Sequence, residues 1–189
     1  MMLNDKEIKK YVEQYKMIEP FEDNRVVLMQ FSTSAANISW GVSSYGYDLR
    51  LADEFLVPQE TQDITVDPKN FDVSKFDKIK TKEYIIPANN FVLGRSLEYF
   101  RIPRDILVIV FGKSTYARCG LVVNITPLEP EWEGYITISI INPLNHKIKI
   151  YANEGIAQAV FIKADKLCEI SYKDKKGKYQ AQKDITVAK

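Results

Sequence analysis

ILVIVFGKSTYARCGLVVNI, residues 106–125, sets two apolar runs of strand length on either side of a segment of small and polar residues. Apolar runs of about four to eight residues, rich in Val and Ile and bounded by Gly, read as buried strands and are too short for helices. Outward from this stretch the same grammar recurs in VVLMQF (26–31), YDLRL (47–51), YIIP (84–87), FVLGRS (91–96), YITISII (135–141), KIKIY (147–151) and AVFI (159–162). Turn signals separate the runs: VDPKNFD at 66–72, IPAN at 86–89, IPRD at 102–105, NPLNHK at 142–147 and ANEG at 152–155. The spacing predicts an all-β sandwich or barrel rather than alternating βα units. One helix is expected over residues 4–18, where Asn4 and Asp5 can cap and Ile8, Tyr11, Val12 and Tyr15 follow at helical spacing.

The segment between the two central runs carries chemistry. Gly112 frees the backbone, Lys113 and Arg118 supply cations, and Ser114 and Thr115 supply hydroxyls, which is the donor set a polyphosphate needs. It is not a P-loop, because the first glycine of that motif would fall at Leu107. A polar turn capped by Gly, Ser and Thr is the plainer account of the same residues. Arg118 lies between two apolar runs, which predicts a buried cation in need of an anion.

The 189 residues fit one domain, 1–189, with enough chain to bury a core without staples. Basic and acidic residues number 26 and 25, so no global basic field draws nucleic acid or an anionic membrane, and an anion must be held locally. Cys119 and Cys168 form no C-x-x-C pair, and the start is not signal-like, which points to a reducing, cytoplasmic setting. The apolar runs fall far short of a membrane span. With one histidine, His146 in a polar turn, the chain cannot assemble the three or four clustered N or S ligands of a zinc site. No motif supports a Ser-His-Asp arrangement on His146. From Ser171 the tail SYKDKKGKYQAQKD is polar and lysine-rich. It reads either as a solvated terminus or as a flap over a ligand, about 171–189, with Lys178 on phosphate and Tyr172 or Gln182 beside it.

Together, MIEPF (17–21), SWGVSSYGYDLRL (39–51), VDPKNFD (66–72), EYFRIPRD (98–105), GKSTYARCGLVVNITPLEPEWEG (112–134), YANEGIAQ (151–158) and KKGKYQAQ (175–182) resemble the deoxycytidine triphosphate deaminase family, kin of the trimeric dUTPases. The resemblance implies a distorted jelly-roll-like β barrel of the dUTPase-like type, assembled as a homotrimer with nucleotide sites shared between subunits. It implies zinc-free hydrolysis of dCTP to dUTP and ammonia, with magnesium carried on the triphosphate and dTTP as a candidate inhibitor. The nucleotide contacts it implies are the turn Lys113, Ser114, Thr115, Tyr116, Ala117 and Arg118, the strand residues Thr137, Ile138 and Ser139, then Gln158 and the closing residues Tyr172, Lys178 and Gln182. Ser114, Arg118 and Glu129 stand nearest the chemistry. Backbone groups along 124–127 and 137–139 would read the pyrimidine edge; Trp132 is either a sugar contact or plain core, and Asp48 a structural acceptor near the site.

One position departs from the family. Its general base is a glutamate in the strand after W-x-G, on a pattern resembling T-L-E-x-x-N, and here that position is Ser139. A serine hydroxyl has no acid–base capacity near neutrality, and general acid–base catalysis is worth about 10²–10⁴-fold. Three readings follow: a dCTP deaminase slowed by Ser139; a dUTP pyrophosphatase or bifunctional dCTP-to-dUMP enzyme with Glu129 as base; and a catalytically silent nucleotide-binding trimer.

Overall fold

The computed structural model describes residues 1–26, 37–59 and 65–189. Most of the VVLMQF run lies outside the described residues. Its first residue, Val26, forms a bridge to Trp40.

The chain opens with α1 (Asp5–Tyr15), and its start is set by a capping box. Glu7 N donates to Asn4 Oδ1 at 3.0 Å while Asn4 N donates to Glu7 Oε2 at 3.2 Å, a cap worth about 0.5–2 kcal/mol. Ile8 and Tyr11 turn inward. The helix is shorter than the 4–18 expected because Lys16 adopts the left-handed conformation (φ 50°) and returns its N–H to Val12 O. Ile18 and Glu19 are then free to form β1 (Ile18–Glu19) against Phe100 and Tyr99.

The strands that follow are β2 (Gly41–Ser43), β3 (Gly46–Pro58), β4 (Phe76–Lys80), β5 (Glu83–Ile86), β6 (Asn90–Arg101) and β7 (Ile106–Gly112). After the single turn α2 (Ser114–Ala117) come β8 (Val122–Asn124), β9 (Glu133–Asn142), β10 (Ile148–Tyr151) and β11 (Gly155–Lys163). The main sheet runs β7-β11-β3-β6-β9-β8, with β1, β2 and β4 on its flanks; β5 and β10 pair separately. Its two ends meet: Val108 and the segment after β8 exchange backbone hydrogen bonds at Leu128, 2.9 and 3.1 Å, which nearly closes the sheet into a barrel. The all-β expectation holds, and every expected turn falls outside a strand interior.

Period-two burial fills the barrel. Along β9 the residues Ile136, Ile138 and Ile140 are buried while Tyr135, Thr137, Ser139 and Ile141 are partly exposed. Along β6, Val92 and Phe100 point inward in the same rhythm. Strand β4, FDKIK, escaped the sequence reading because it is an edge strand whose charged residues hide its one buried side chain, Phe76.

Candidate active site

The turn α2 leaves the end of β7, where Gly112 pairs with Ala157 of β11. Lys113 starts it: its N–H donates to Ile156 O, and its carbonyl accepts from Tyr116 N and Ala117 N. Two side chains anchor the turn from beneath. The Lys113 ammonium is buried against the Asp48 carboxylate of β3, and the buried Tyr116 hydroxyl accepts from Tyr151 N at 3.0 Å. Burial pushes the Tyr116 phenol up from its ordinary value. Ser114, Thr115, Ala117 and Arg118 face outward and are exposed. The sequence expectation is therefore reversed on one point: the buried cation is Lys113, and Arg118 is exposed. The turn is so short that its first residue is directed back into the barrel while the next turn of backbone swings residue 118 out.

A cavity of about 780 Å³ opens beside β9, within the range of about 300–1,000 Å³ that small-molecule sites occupy. Asn124 to Glu129 form one wall; Thr137 and Ser139 form the floor; Trp132, Tyr172, Tyr179 and Gln182 form the far side. Strand β8 stops at Asn124, opposite Ser139, so β9 from Gly134 to Ile138 has no β8 partner. The segment after Ser171 takes that edge: Gln182 bridges Gly134 in parallel fashion and its carbonyl accepts from Tyr135 N at 2.9 Å. Farther on, Thr186 N donates to Thr137 Oγ1 at 2.9 Å, and Thr137 Oγ1 donates to Gln182 Oε1 at 3.3 Å. Val187 and Ala188 complete the lining.

This tail is not a solvated terminus. Ser171 is fully buried, Tyr172 N donates to Pro130 O, Tyr179 N donates to the Tyr172 hydroxyl, and the Trp132 indole N–H donates to Tyr179 O at 2.8 Å. A Cβ on Gly177 would overlap the Tyr172 ring, so the tail's bend needs a glycine there. Arg104 clamps its start through Asp174 at 2.8 Å and Glu131 at 2.6 Å. A backbone N–H from Ser171, reinforced by Arg104, holds the Asp174 carboxyl below its ordinary value.

The sequence-derived candidates thus separate into groups. Glu129, Thr137, Ser139, Tyr172 and Gln182 converge on the cavity. Glu129 is half-exposed and paired with Lys175 at 2.5 Å. The Ile138 side chain is buried in the core, leaving only its backbone for recognition. Gln158 lies on β11 with its amide on Ser43 Oγ at 3.1 Å, and Lys178 donates to Lys189 O at 3.0 Å; neither lines the cavity. Trp132 is buried and also lines the cavity, with its indole N–H bonded to the tail. Asp48 satisfies a buried donor, as its place in SSYGYD suggested. Among the described residues no group of three or more His, Cys, Asp or Glu side chains is gathered to hold a metal ion, and no helix is long and apolar enough to cross a membrane. Thr186, Val187 and Ala188 were missed, since small residues in a polar tail give no periodic signal. Also missed was Glu98, fully buried on β6, which takes Arg50 Nε at 2.7 Å and Arg50 N at 2.9 Å. Burial raises its carboxyl, against the pull of Arg50.

The family model described as dCTP deaminase-like matches residues 2–164. The chain belongs to the dCTP deaminase-like family. A dCTP deaminase of Ectopseudomonas mendocina (strain ymp) is 54% identical over 184 residues, covering 97% of this chain and 96% of that protein. A dCTP deaminase of Pseudomonas aeruginosa (strain UCBPP-PA14) is 52% identical over 186 residues, covering 98% and 97%. The crystal structure of 2′-deoxycytidine 5′-triphosphate deaminase from Agrobacterium tumefaciens shares the fold, with a TM-score of 0.59 at 12% identity. That match covers 85% of this chain and 47% of the other, so the chain spans about half the length of that structure. In this member of the dCTP deaminase-like family the floor of the cavity carries a hydroxyl, Ser139, and its wall a carboxylate, Glu129.

Proposed function

We propose that this protein hydrolyses dCTP to dUTP and ammonia in pyrimidine deoxynucleotide metabolism. What supports this is membership of the dCTP deaminase-like family through relatives of that name at 54% identity across nearly the whole chain. The relatives' shared name favours deamination over cleavage of the triphosphate. The cavity suits a pyrimidine: the backbone of 124–127 and of 137–139 offers donors and acceptors to its Watson–Crick edge, and Thr137 and Gln182 bring side-chain polar atoms beside it.

The reaction needs a group that takes a proton from water as the oxygen attacks C4 and returns it to the leaving amine as the C4–N4 bond breaks. Ser139 cannot do this. Glu129 is the one carboxylate among the described residues lining the cavity, and we assign it the proton transfer, with Lys175 holding it in place. A half-exposed carboxylate on a wall is a poorer base than a fixed one on the floor, so turnover is slow, by up to the roughly 10²–10⁴-fold that general acid–base catalysis supplies. Ser114 and Arg118, which are exposed on α2, are assigned to the triphosphate. Magnesium enters as part of the substrate, on the triphosphate oxygens, and dTTP competes for the same site.

We further propose a homotrimer whose sites are shared between subunits. Phe111 on β7 and Val122 on β8 are 58% and 47% exposed, an apolar face beside the outward side of α2 that a second copy would cover. Both cysteines are free thiols, consistent with a reducing cytoplasm. Ammonia release from dCTP, followed for the wild type and for Glu129→Gln, tests the reading: a slow wild-type signal that vanishes in the variant is the expected result. Equal rates would remove Glu129 from the chemistry.

A further inference from the structure

We propose that Asp48 is a positioning residue of the phosphate-binding turn, acting through Lys113 and touching no nucleotide. The inference rests on the reading of α2 as the triphosphate-binding turn. Asp48 sits on β3 between Gly41 of β2 and Gln158 of β11, only 4% exposed, well inside the barrel wall. Its carboxylate meets the Lys113 ammonium, and the two side chains are 6% and 9% exposed. The lysine is the residue from which the whole turn hangs, because its carbonyl accepts the N–H groups of Tyr116 and Ala117 and its own N–H is fixed on β11 at Ile156. Gly155 makes room for this: a Cβ there would overlap Ser39 O and come within 3.3 Å of Lys113 Cδ.

Two consequences follow. Lys113, although it stands in a run of phosphate-binding character, has its charge committed inward, which leaves Arg118 as the cation on the exposed face of the turn. The inward pull of Asp48 on Lys113 and the Tyr116 bond to Tyr151 fix the turn at two points, with Ser114 between them and Arg118 just beyond, its N–H on Ser114 O. Freed at one point, the turn would misplace both by an amount that matters, since a shift of about 1 Å in a positioning group can cost about 10²-fold.

The test uses the full chain as wild type, Asp48→Asn, Lys113→Met and the double variant, which removes both charges and so leaves none buried without a partner. Three things are measured: affinity for inorganic tripolyphosphate and for dUTP with magnesium, kcat and KM for dCTP, and amide hydrogen exchange over residues 114–118. Each single variant is expected to weaken both ligands by about tenfold or more, to raise KM by a larger factor than it lowers kcat, and to speed exchange in the turn. The double variant is expected to be no worse than the poorer single one, because both changes break one linkage. A purely stabilising pair would lower the melting temperature without splitting KM from kcat. Tripolyphosphate binding equal to or tighter than wild type in Asp48→Asn would overturn the proposal, since Lys113 would then be a phosphate ligand that Asp48 restrains. Unchanged exchange over 114–118 would overturn it as well. A wild type that binds neither probe would instead sink the triphosphate reading of the turn.

Discussion

At the scale of single residues, the chemistry turns on Ser139 and Glu129. Replacing Ser139 with Glu sets a carboxylate on the floor of the cavity, and the deamination rate should rise by about 10²–10⁴-fold, measured as ammonia release at saturating dCTP. An unchanged rate would show that the floor is not where the water is activated. Glu98 makes a second prediction, on stability. Its carboxyl is raised by burial, so the folded chain holds this proton more tightly than the unfolded chain does. The contribution is complete below the ordinary carboxylate value and is lost as pH rises through the raised one. Wild-type melting temperature should therefore decline over that interval more steeply than that of Glu98→Gln, which has nothing to titrate. Glu98→Ala should destabilise the fold by less than the roughly 3–5 kcal/mol of a fully orphaned buried charge, because Arg50 loses its nearer carboxylate and keeps only Glu22 at 3.7 Å. Some of this residue scale was legible in the sequence and some was not. The departure at Ser139 could be seen from the strand pattern alone, whereas the choice of Lys113 over Arg118 as the inward cation depends on which way a one-turn helix leaves β7, and spacing does not encode that.

Among the elements, the longer strands declared themselves because apolar residues recur along them; the two- and three-residue strands β1 and β2 and the charged edge strand β4 did not. The tail declared only half of itself. Its composition fits solvent, yet its contacts run through backbone groups and through Trp132, Thr137 and Tyr135, partners that no pattern in the tail's own residues reveals. Thr137→Val removes the acceptor for Thr186 N–H, so amide exchange over residues 183–189 should quicken while the barrel strands stay protected; equal exchange would mean the tail is held elsewhere. The clamp at the tail's start is pH-dependent in the opposite sense to Glu98. Asp174 is held below its ordinary value of 3.8, so its contribution is present above that pH and is lost as pH falls through the lowered one. Acidification should quicken exchange at the tail's start, residues 171–175, and Asp174→Asn should do so already at neutral pH, while the contacts through Trp132 and Thr137 keep the rest of the tail in place.

For the whole molecule, two places stand out among the described residues: the exposed face of α2 and the stretch of β9 that β8 does not reach and the tail covers. One holds hydroxyls and a cation, the other a cavity with Glu129 and Ser139. Light scattering should report a three-chain assembly, and substitution of the exposed Phe111 by Glu should shift it to monomers; a wild-type monomer would argue against shared sites. The central claim is that the family's deamination persists here, slowed by the hydroxyl at Ser139. The most direct test is one incubation of the purified protein with dCTP and magnesium in which dCTP, dUTP, dCMP, dUMP, ammonia and pyrophosphate are resolved together. Slow formation of dUTP and ammonia in equal amounts, without pyrophosphate, is the predicted result; dCTP left unchanged at saturation, or pyrophosphate in place of ammonia, would contradict it.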